Sequence, residues 1–229
     1  MLWTASMMKG YVVSGIDGHH GTVSDLLFDD ASWKMRWLVV STRDWFPHHT
    51  VLLPASVLGC PDPGRRQFRV ALTVQQIHDS PHVDGDLPVS QQAEVDSPLH
   101  HPAAGRRYGY SVLSVSKPTD PNLRSMEAVI GHLVHAVDGL IGHVDDFLID
   151  DVDWSVRFIK VDTRNWGPTP RVLLPPRLIR GIDWPTRAMH LDVDRREIEN
   201  RSLHDPVTGA ETMRGEMLLA CKDIRWVKE

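Results

Sequence analysis

The fold is decided by a stretch of sequence that occurs twice, as Asp17-Gly18-His-His-Gly21-Thr-Val23-Ser-Asp25 and as Asp138-Gly139-Leu-Ile-Gly142-His-Val144-Asp-Asp146. The two stretches are 121 residues apart, and the same offset relates Val51-Leu-Leu-Pro54 to Val172-Leu-Leu-Pro175. A period of this length is too long for a solenoid of small units, so we expect each copy to be a domain. The sequence therefore predicts one fold that is used twice.

Within each copy the pattern is mostly β. In copy one, strands are predicted over residues 11–16, 22–28, 34–42, 50–57 and 67–72, joined by tight turns such as Asp17-Gly18. A helical turn with a hydroxyl N-cap precedes the strands, and Thr73-Val-Gln-Gln76 has the spacing of a capping box before a short helix. Because five short strands cannot cover themselves as a flat sheet, we expect each copy to curl into a small barrel.

Segments rich in proline and glycine indicate the domain organisation. Domain 1 is predicted to span residues 1–98, followed by a linker over 99–121, domain 2 over 122–206 and a C-terminal extension over 207–229 that packs on a barrel. Fusing two copies raises the local concentration of each for the other, so we expect the domains to pack together.

The order of motifs in each copy resembles the PRC-barrel family. It runs from Asp-Gly-x-x-Gly-x-Val-x-Asp-x-x-x-Asp-Asp through a tryptophan and an apolar strand ending in Thr-Arg-x-Trp to Val-Leu-Leu-Pro, over residues 10–81 and again over 131–202. This family includes the cytoplasmic domain of the photosynthetic reaction centre H subunit, the C-terminal domain of a ribosome maturation factor and stand-alone bacterial proteins. The resemblance implies a mainly β fold of two tandem small barrels with short flanking helical turns. It also implies a docking or adaptor module without catalytic residues.

Composition limits the function classes. The 229 residues carry a net charge of −5 and no long apolar run, which argues against a dedicated nucleic-acid binder and against a membrane span. Two cysteines without metal-ligand spacing, and no secretory signal, favour a cytoplasmic protein. We expect no enzyme activity and no cofactor, because neither a phosphate-binding loop nor a nucleophile elbow is present. Peripheral membrane association and homodimerisation stay open.

Two repeated acidic residues are the first candidates for interaction. Strict alternation along the second strand would place Asp25 and Asp146 on the core face, where a carboxylate must be paired or neutralised. The resemblance to the reaction-centre subunit implies a proton-handling surface, and the structural alternatives are a β-bulge and a structural ion pair. Candidate partners are arginines that recur at matching positions: Arg36, Arg43, Arg157 and Arg164.

Two repeated tryptophans are the second candidates. Trp45 and Trp166 lie in the loop between the third and fourth strands of their copies, each close to a proline. An exposed tryptophan there would anchor an interface, whereas one folded onto the end of the barrel would be structural.

Four histidines of copy one form a candidate metal site. His19 and His20 lie in the first hairpin turn, and His48 and His49 lie in the third connection, which emerges at the same end of an up-and-down meander. Four converging imidazoles would suit zinc, copper or nickel. Copy two lacks them, so a solvated histidine cluster is the alternative.

These residues support one leading hypothesis, a non-catalytic adaptor or assembly module that binds an unknown protein partner through its duplicated domains. One alternative is a metal- or small-ligand-binding sensor that uses the histidine-rich end of domain 1. Another is an accessory factor in ribosome maturation or RNA processing.

Overall fold

The computed structural model describes residues 1–42, 50–81, 122–164, 171–203 and 224–226, and these confirm a mainly β fold. The strands of copy one are β1 (Leu2–Thr4), β2 (Val12–Ser14), β3 (His19–Asp29), β4 (Lys34–Ser41), β5 (Thr50–Pro54), β6 (Leu58–Asp62) and β7 (Gln67–Val70). Those of copy two are β8 (Leu123–Ser125), β9 (Leu133–Ala136), β10 (Gly139–Asp150), β11 (Val156–Asp162), β12 (Arg171–Leu174), β13 (Ile179–Asp183) and β14 (Ala188–Leu191). A last strand, β15 (Ile224–Trp226), follows them. The helices are α1 (Ala5–Met8), α2 (Val74–His78), α3 (Met126–Val129) and α4 (Arg195–Leu203). Short 3-10 turns cover Ala55–Val57 and Pro176–Leu178.

The repeated glycine-containing motif forms the hairpin between the first two strands of each sheet. Its second glycine, Gly21 in copy one and Gly142 in copy two, has φ of 127° and 155°. A Cβ atom at Gly21 would lie 2.4 Å from the carbonyl oxygen of Ser41, and one at Gly142 would lie 1.9 Å from that of Asp162. The motif therefore needs glycine both for its backbone conformation and for the close approach of the next strand.

The predicted capping box is present at the start of α2. The hydroxyl of Thr73 accepts a hydrogen bond from the Gln76 amide at 3.3 Å, and the Gln76 side chain accepts one from the Thr73 amide at 2.9 Å. At the start of α4, Asp194 accepts a hydrogen bond from the Glu197 amide at 2.7 Å. These caps satisfy amides that a helix leaves without internal partners, and each fixes a helix that buries one isoleucine.

Each copy forms a curled sheet with the same strand order. In copy one the order is β5-β4-β3-β2-β7-β6, and in copy two it is β12-β11-β10-β9-β14-β13. Neighbouring strands within these orders are antiparallel, except that β2 and β7, like β9 and β14, are parallel. In copy two the order continues beyond β12 with β15, which pairs with it in parallel.

Neither sheet closes into the expected barrel over the described residues, because the hydrogen-bond ladder ends at β13 and β15 in copy two and at β5 and β6 in copy one. A turn of three residues, Ala55–Val57, joins these two strands, so they meet end to end at a corner instead of side by side. The outer edge of β5 is instead contacted by the chain after α2, where the Leu52 amide donates to the carbonyl of Pro81 at 2.8 Å.

The two copies exchange their N-terminal arms. Strand β1, although predicted to belong to domain 1, pairs with β10 of copy two, with Leu2 opposite Asp150. Strand β8 pairs in the same way with β3 of copy one, with Leu123 opposite Asp29. The exchange has a geometric cause, since β3 has eleven residues and β2 only three, which leaves the far half of one edge of β3 to be paired.

An approximate two-fold axis relates the copies, because contacts recur between positions 121 residues apart. The Met35 amide donates to the Trp154 carbonyl and the Val156 amide donates to the Trp33 carbonyl, each at 2.8 Å. Near this boundary the fully buried rings of Phe28 and Phe147 lie 5.5 Å apart. The main core consists of residues from both copies.

Two of the predicted segments fall largely outside the described residues. This applies to all of the linker over 99–121 and to all of the C-terminal extension except β15. The predicted domain limits therefore stay predictions.

Because the core is shared, we expect the two copies to unfold in one transition. Phe28→Ala removes a buried ring at their boundary and should lower the free energy of unfolding by about 3–5 kcal/mol. Urea titration followed by circular dichroism and by tryptophan fluorescence measures the number of transitions and the free energy of unfolding.

The matched control is Val152→Ala, which truncates a side chain that is 82% exposed and should leave the unfolding midpoint unchanged. Two separated transitions, of which Phe28→Ala shifts only one, would contradict a shared core.

Candidate functional site

Asp25 and Asp146 lie at β-bulges, not on regularly alternating strands. Along β3 the pairing with β4 skips Ser24, so that Val23 faces Val40 and Asp25 faces Val39. Along β10 the pairing with β11 skips the equivalent residue in the same way. The strands therefore do not alternate strictly at these positions, and of the structural alternatives the bulge is the one found.

Asp146 binds the start of the first helix of copy one. Its carboxylate accepts hydrogen bonds from the amide of Ser6, at 3.1 Å, and from the Ser6 hydroxyl. It also accepts one from its neighbour, the Phe147 amide, at 2.8 Å. A copy-two carboxylate thus caps α1, whose own N-cap residue, Thr4, makes no side-chain capping bond.

Asp25 makes the reciprocal contact with copy two. It accepts hydrogen bonds from the Glu127 amide at 3.2 Å, from the Leu26 amide at 2.8 Å and from the hydroxyl of Ser125. The backbone donors lie at positions equivalent to those around Asp146, whereas the hydroxyl comes from a different position. Each carboxylate thus binds the arm of the other copy, and we call Asp25 and Asp146 the clasps.

The arginines proposed as partners of these carboxylates bind other acids, so the ion-pair alternative is wrong for the described arginines. Arg164 pairs with Asp162 at 2.6 Å, which also accepts from the Arg164 amide two residues away. The other pairs are Arg36 with Asp29 at 3.7 Å and Arg157 with Asp150 at 3.1 Å. Arg43 lies outside the described residues.

Burial raises the pKa of both clasp carboxyls. For Asp25, hydrogen bonds from Ser125 and from two amides oppose the shift, and for Asp146 hydrogen bonds from Ser6 and the charge of Lys160 do so. In each case loss of hydration is the largest cause, because removing a carboxylate from water disfavours its charged form. At the boundary between the copies, Asp146 is thus a buried carboxyl and Asp25 a half-buried one.

A second contact beside each clasp involves the repeated Asp-Asp turn. The Asp151 carboxylate accepts from the Trp3 indole at 2.9 Å, and the equivalent Asp30 accepts from the Arg124 guanidinium at 3.0 Å. The guanidinium also lies 4.5 Å from the centre of the Trp184 ring. The donor thus stands at the same position in both arms, but it is an indole in one and a guanidinium in the other. Of this contact, the sequence revealed only the repeated acidic pair.

The tip of the first hairpin carries an exposed apolar residue in both copies, which the sequence reasoning missed. Ile16 is 74% exposed and the equivalent Val137 is 73% exposed. Each tip is held by its backbone, since the Ile16 amide donates to Leu72 at 2.9 Å and the Val137 amide donates to Val193 at 3.0 Å. The available signal was an apolar residue directly before Asp-Gly in both copies.

The aspartate after each apolar residue makes the tip more rigid. Asp17 accepts a hydrogen bond from the Val74 amide at 2.9 Å, and Asp138 accepts one from the Arg195 amide at 3.0 Å. Each hairpin is thereby tied to the first turn of the helix that follows its sheet. We call Ile16 and Val137, on these two hairpins, the apolar tips.

The histidines predicted to hold a metal do not converge as far as they are described. His20 is buried, with Nε2 at 3.3 Å from the Asp17 carboxylate, whereas His19 is exposed, with Nδ1 at 3.3 Å from the side-chain Nε2 of Gln67. Consecutive residues of a strand point to opposite faces, which separates the two imidazoles. The described residues contain no group of three or more histidine, cysteine or acidic side chains placed to hold one metal ion. His48, His49, Trp45 and Trp166 lie outside the described residues.

Comparison with protein-family models and with curated proteins finds no match to this chain. Within the described residues, no helix is both long enough and apolar enough to cross a membrane.

The clasps predict an unusual pH dependence of stability. Because the native pKa of Asp25 is raised, the stability that its protonation supplies is complete below about pH 3.9, the pKa of an unfolded aspartate, and is lost as pH rises through the native pKa. Asp25→Asn removes the charge but keeps the size of the side chain. The variant should therefore gain stability relative to the parent protein between about pH 4 and pH 7, as measured by urea denaturation.

Asp153→Asn is a control with the opposite sign. Partial burial opposes the shift, but hydrogen bonds from Ser155 and the charge of Arg157 lower the pKa of Asp153 below its ordinary value. The stability that ionisation of Asp153 supplies is complete above about pH 3.9 and is lost as pH falls through its lowered native pKa. Asp153→Asn should therefore lose stability relative to the parent protein as pH rises towards about 4, with little further change between about pH 4 and pH 7. A change of the same sign in both variants, or none for Asp25→Asn, would refute the assignment.

Proposed function

We propose that this chain is a non-catalytic adaptor that binds a protein partner through two copies of a PRC-barrel-like module. The observation that carries the proposal is the repetition of the apolar tips, Ile16 and Val137, with almost equal exposure. A single exposed apolar side chain is ordinary on a protein surface. Two at equivalent places, each on a hairpin fixed by hydrogen bonds, make a bivalent surface.

The rigidity of the tips supports a role in binding. A contact residue that is already held loses little conformational freedom when a partner docks, so more of the contact energy appears as affinity. The exchanged arms also fix one copy against the other, because β1 and β8 each form part of the opposite sheet. The two tips are thus presented at a constant separation, which favours simultaneous binding.

The chemistry of the tips indicates the kind of partner. Each offers one aliphatic side chain next to a carboxylate that is engaged in capping a helix, so an apolar pocket is the complementary feature. Since the tips are related by approximate two-fold symmetry, a partner with two equivalent pockets, such as a homodimer, fits best. The resemblance of each copy to a family of docking modules agrees with this function, although a fold by itself does not define one.

Photo-crosslinking in cells of the source organism tests the proposal. A photoreactive phenylalanine analogue at position 16 and the same analogue at position 137 should capture one common protein, identified by mass spectrometry. The matched control is position 152, because Val152 is 82% exposed but corresponds to Ala31 in copy one and so is not repeated. Capture of different proteins at 16 and 137, or of the same set at 152, would overturn the proposal.

Affinity for the captured partner should then show bivalence. Ile16→Ser and Val137→Ser each remove one tip, and each should weaken binding less than the double variant does. Loss of either tip leaves a single contact, so the affinity should fall by the gain that bivalence supplies, about 10²–10⁴-fold. Val152→Ser should bind like the parent protein in the same titration.

A further inference from the structure

We propose that His135 and His190 form a binding site for a divalent transition-metal ion on the outer face of copy two. The two residues are direct partners in the parallel ladder between β9 and β14. Their neighbours Val134 and Met189 are fully buried, so the alternation of both strands turns both imidazoles outward on the same face. The ring centres lie 5.6 Å apart, with 27° between the ring planes.

This separation matches the requirement of a shared metal ion. Zinc–nitrogen bonds are about 2.0–2.1 Å long, so two imidazoles that bind one ion have ring centres about 5–6 Å apart. Rotation of each ring about its own side-chain bonds aims a nitrogen at a common point without moving the backbone. Neutral imidazole is a preferred ligand of copper, nickel and zinc, and two protein ligands leave the remaining positions to water.

The surroundings allow an ion to reach the pair. The two histidines line a cavity of about 550 Å³, to which Arg180 and Asp183 contribute one charge of each sign. His190 is exposed and His135 is half-buried, so solvent has access to both rings. Among the residues that line the cavity, the two imidazoles and the Asp183 carboxylate are the groups able to bind a metal ion.

The pair belongs to copy two alone. In copy one the equivalent positions are Ser14 and Arg69, which are partners in the corresponding ladder between β2 and β7. A guanidinium donates hydrogen bonds and cannot bind a cation, so copy one lacks the site although it keeps the backbone geometry. Val137 lines the same cavity, which places the metal site beside one apolar tip and not beside the other. The proposal does not depend on the adaptor function.

Calorimetric titration of the full chain with nickel(II) at about pH 8, where imidazole is neutral and can bind a metal, tests the site. We expect saturable binding that His135→Asn and His190→Asn each weaken by at least about tenfold, since loss even of a residue that only supports a metal ligand has an effect of that size. The matched control is His19→Asn, an exposed strand histidine of copy one that should leave the binding unchanged.

A gain-of-function variant makes the test independent of loss of folding. Ser14→His combined with Arg69→His places the same pair on the equivalent ladder and should add a second nickel ion per chain. Nickel binding that survives both His135→Asn and His190→Asn, or that responds to only one of them, would overturn the proposal. Loss of nickel binding in His19→Asn would also overturn the proposal and would indicate a metal site in copy one.

Discussion

The structure depends on one constraint, the unequal length of paired strands. Strand β3 is eleven residues long and β10 twelve, whereas β2 and β9 have three and four. The far half of each long strand would expose unpaired amides and carbonyls, which is costly when buried and hazardous when exposed. Each copy supplies the missing strand to the other, so the chain satisfies both edges through a reciprocal exchange that neither copy achieves alone.

The clasps follow from this exchange. A helix begins directly after each arm, and its free amides must find acceptors at the boundary between the copies. Asp25 and Asp146 supply these acceptors because the bulge turns them towards the arm of the other copy. The desolvation of each carboxylate is an energetic cost, but three hydrogen bonds to each offset it, and those from the arm give the arm one defined position. Specific placement of the arm, and not stability alone, explains why a charged residue stands at this point.

The sequence predicted the features that have a local signal, and it failed where the signal is long-range. The repeat, most of the strands and the capping box before α2 were readable because each depends on neighbouring residues. Strand β1 was missed because a three-residue strand has no period of its own and pairs with residues almost 150 positions away. The bulge at Ser24 was undecided for the same reason, since it is visible only in the pairing with β4. His19 and His20 show that adjacent positions in the sequence do not ensure contact, because neighbouring residues of a strand point to opposite faces.

The two copies have similar backbones, but the side chains on their surfaces differ. The first hairpin of copy two carries the exposed side chains of Leu133 and Leu140, whereas the corresponding positions in copy one are Val12 and His19. The ladder that carries a histidine pair in copy two carries a serine and an arginine in copy one. A partner that contacts only the tips would bind equally well in two orientations related by the two-fold axis. A partner that also contacts these flanks binds in one orientation, because the flank in copy two carries two leucines and a histidine pair that copy one lacks.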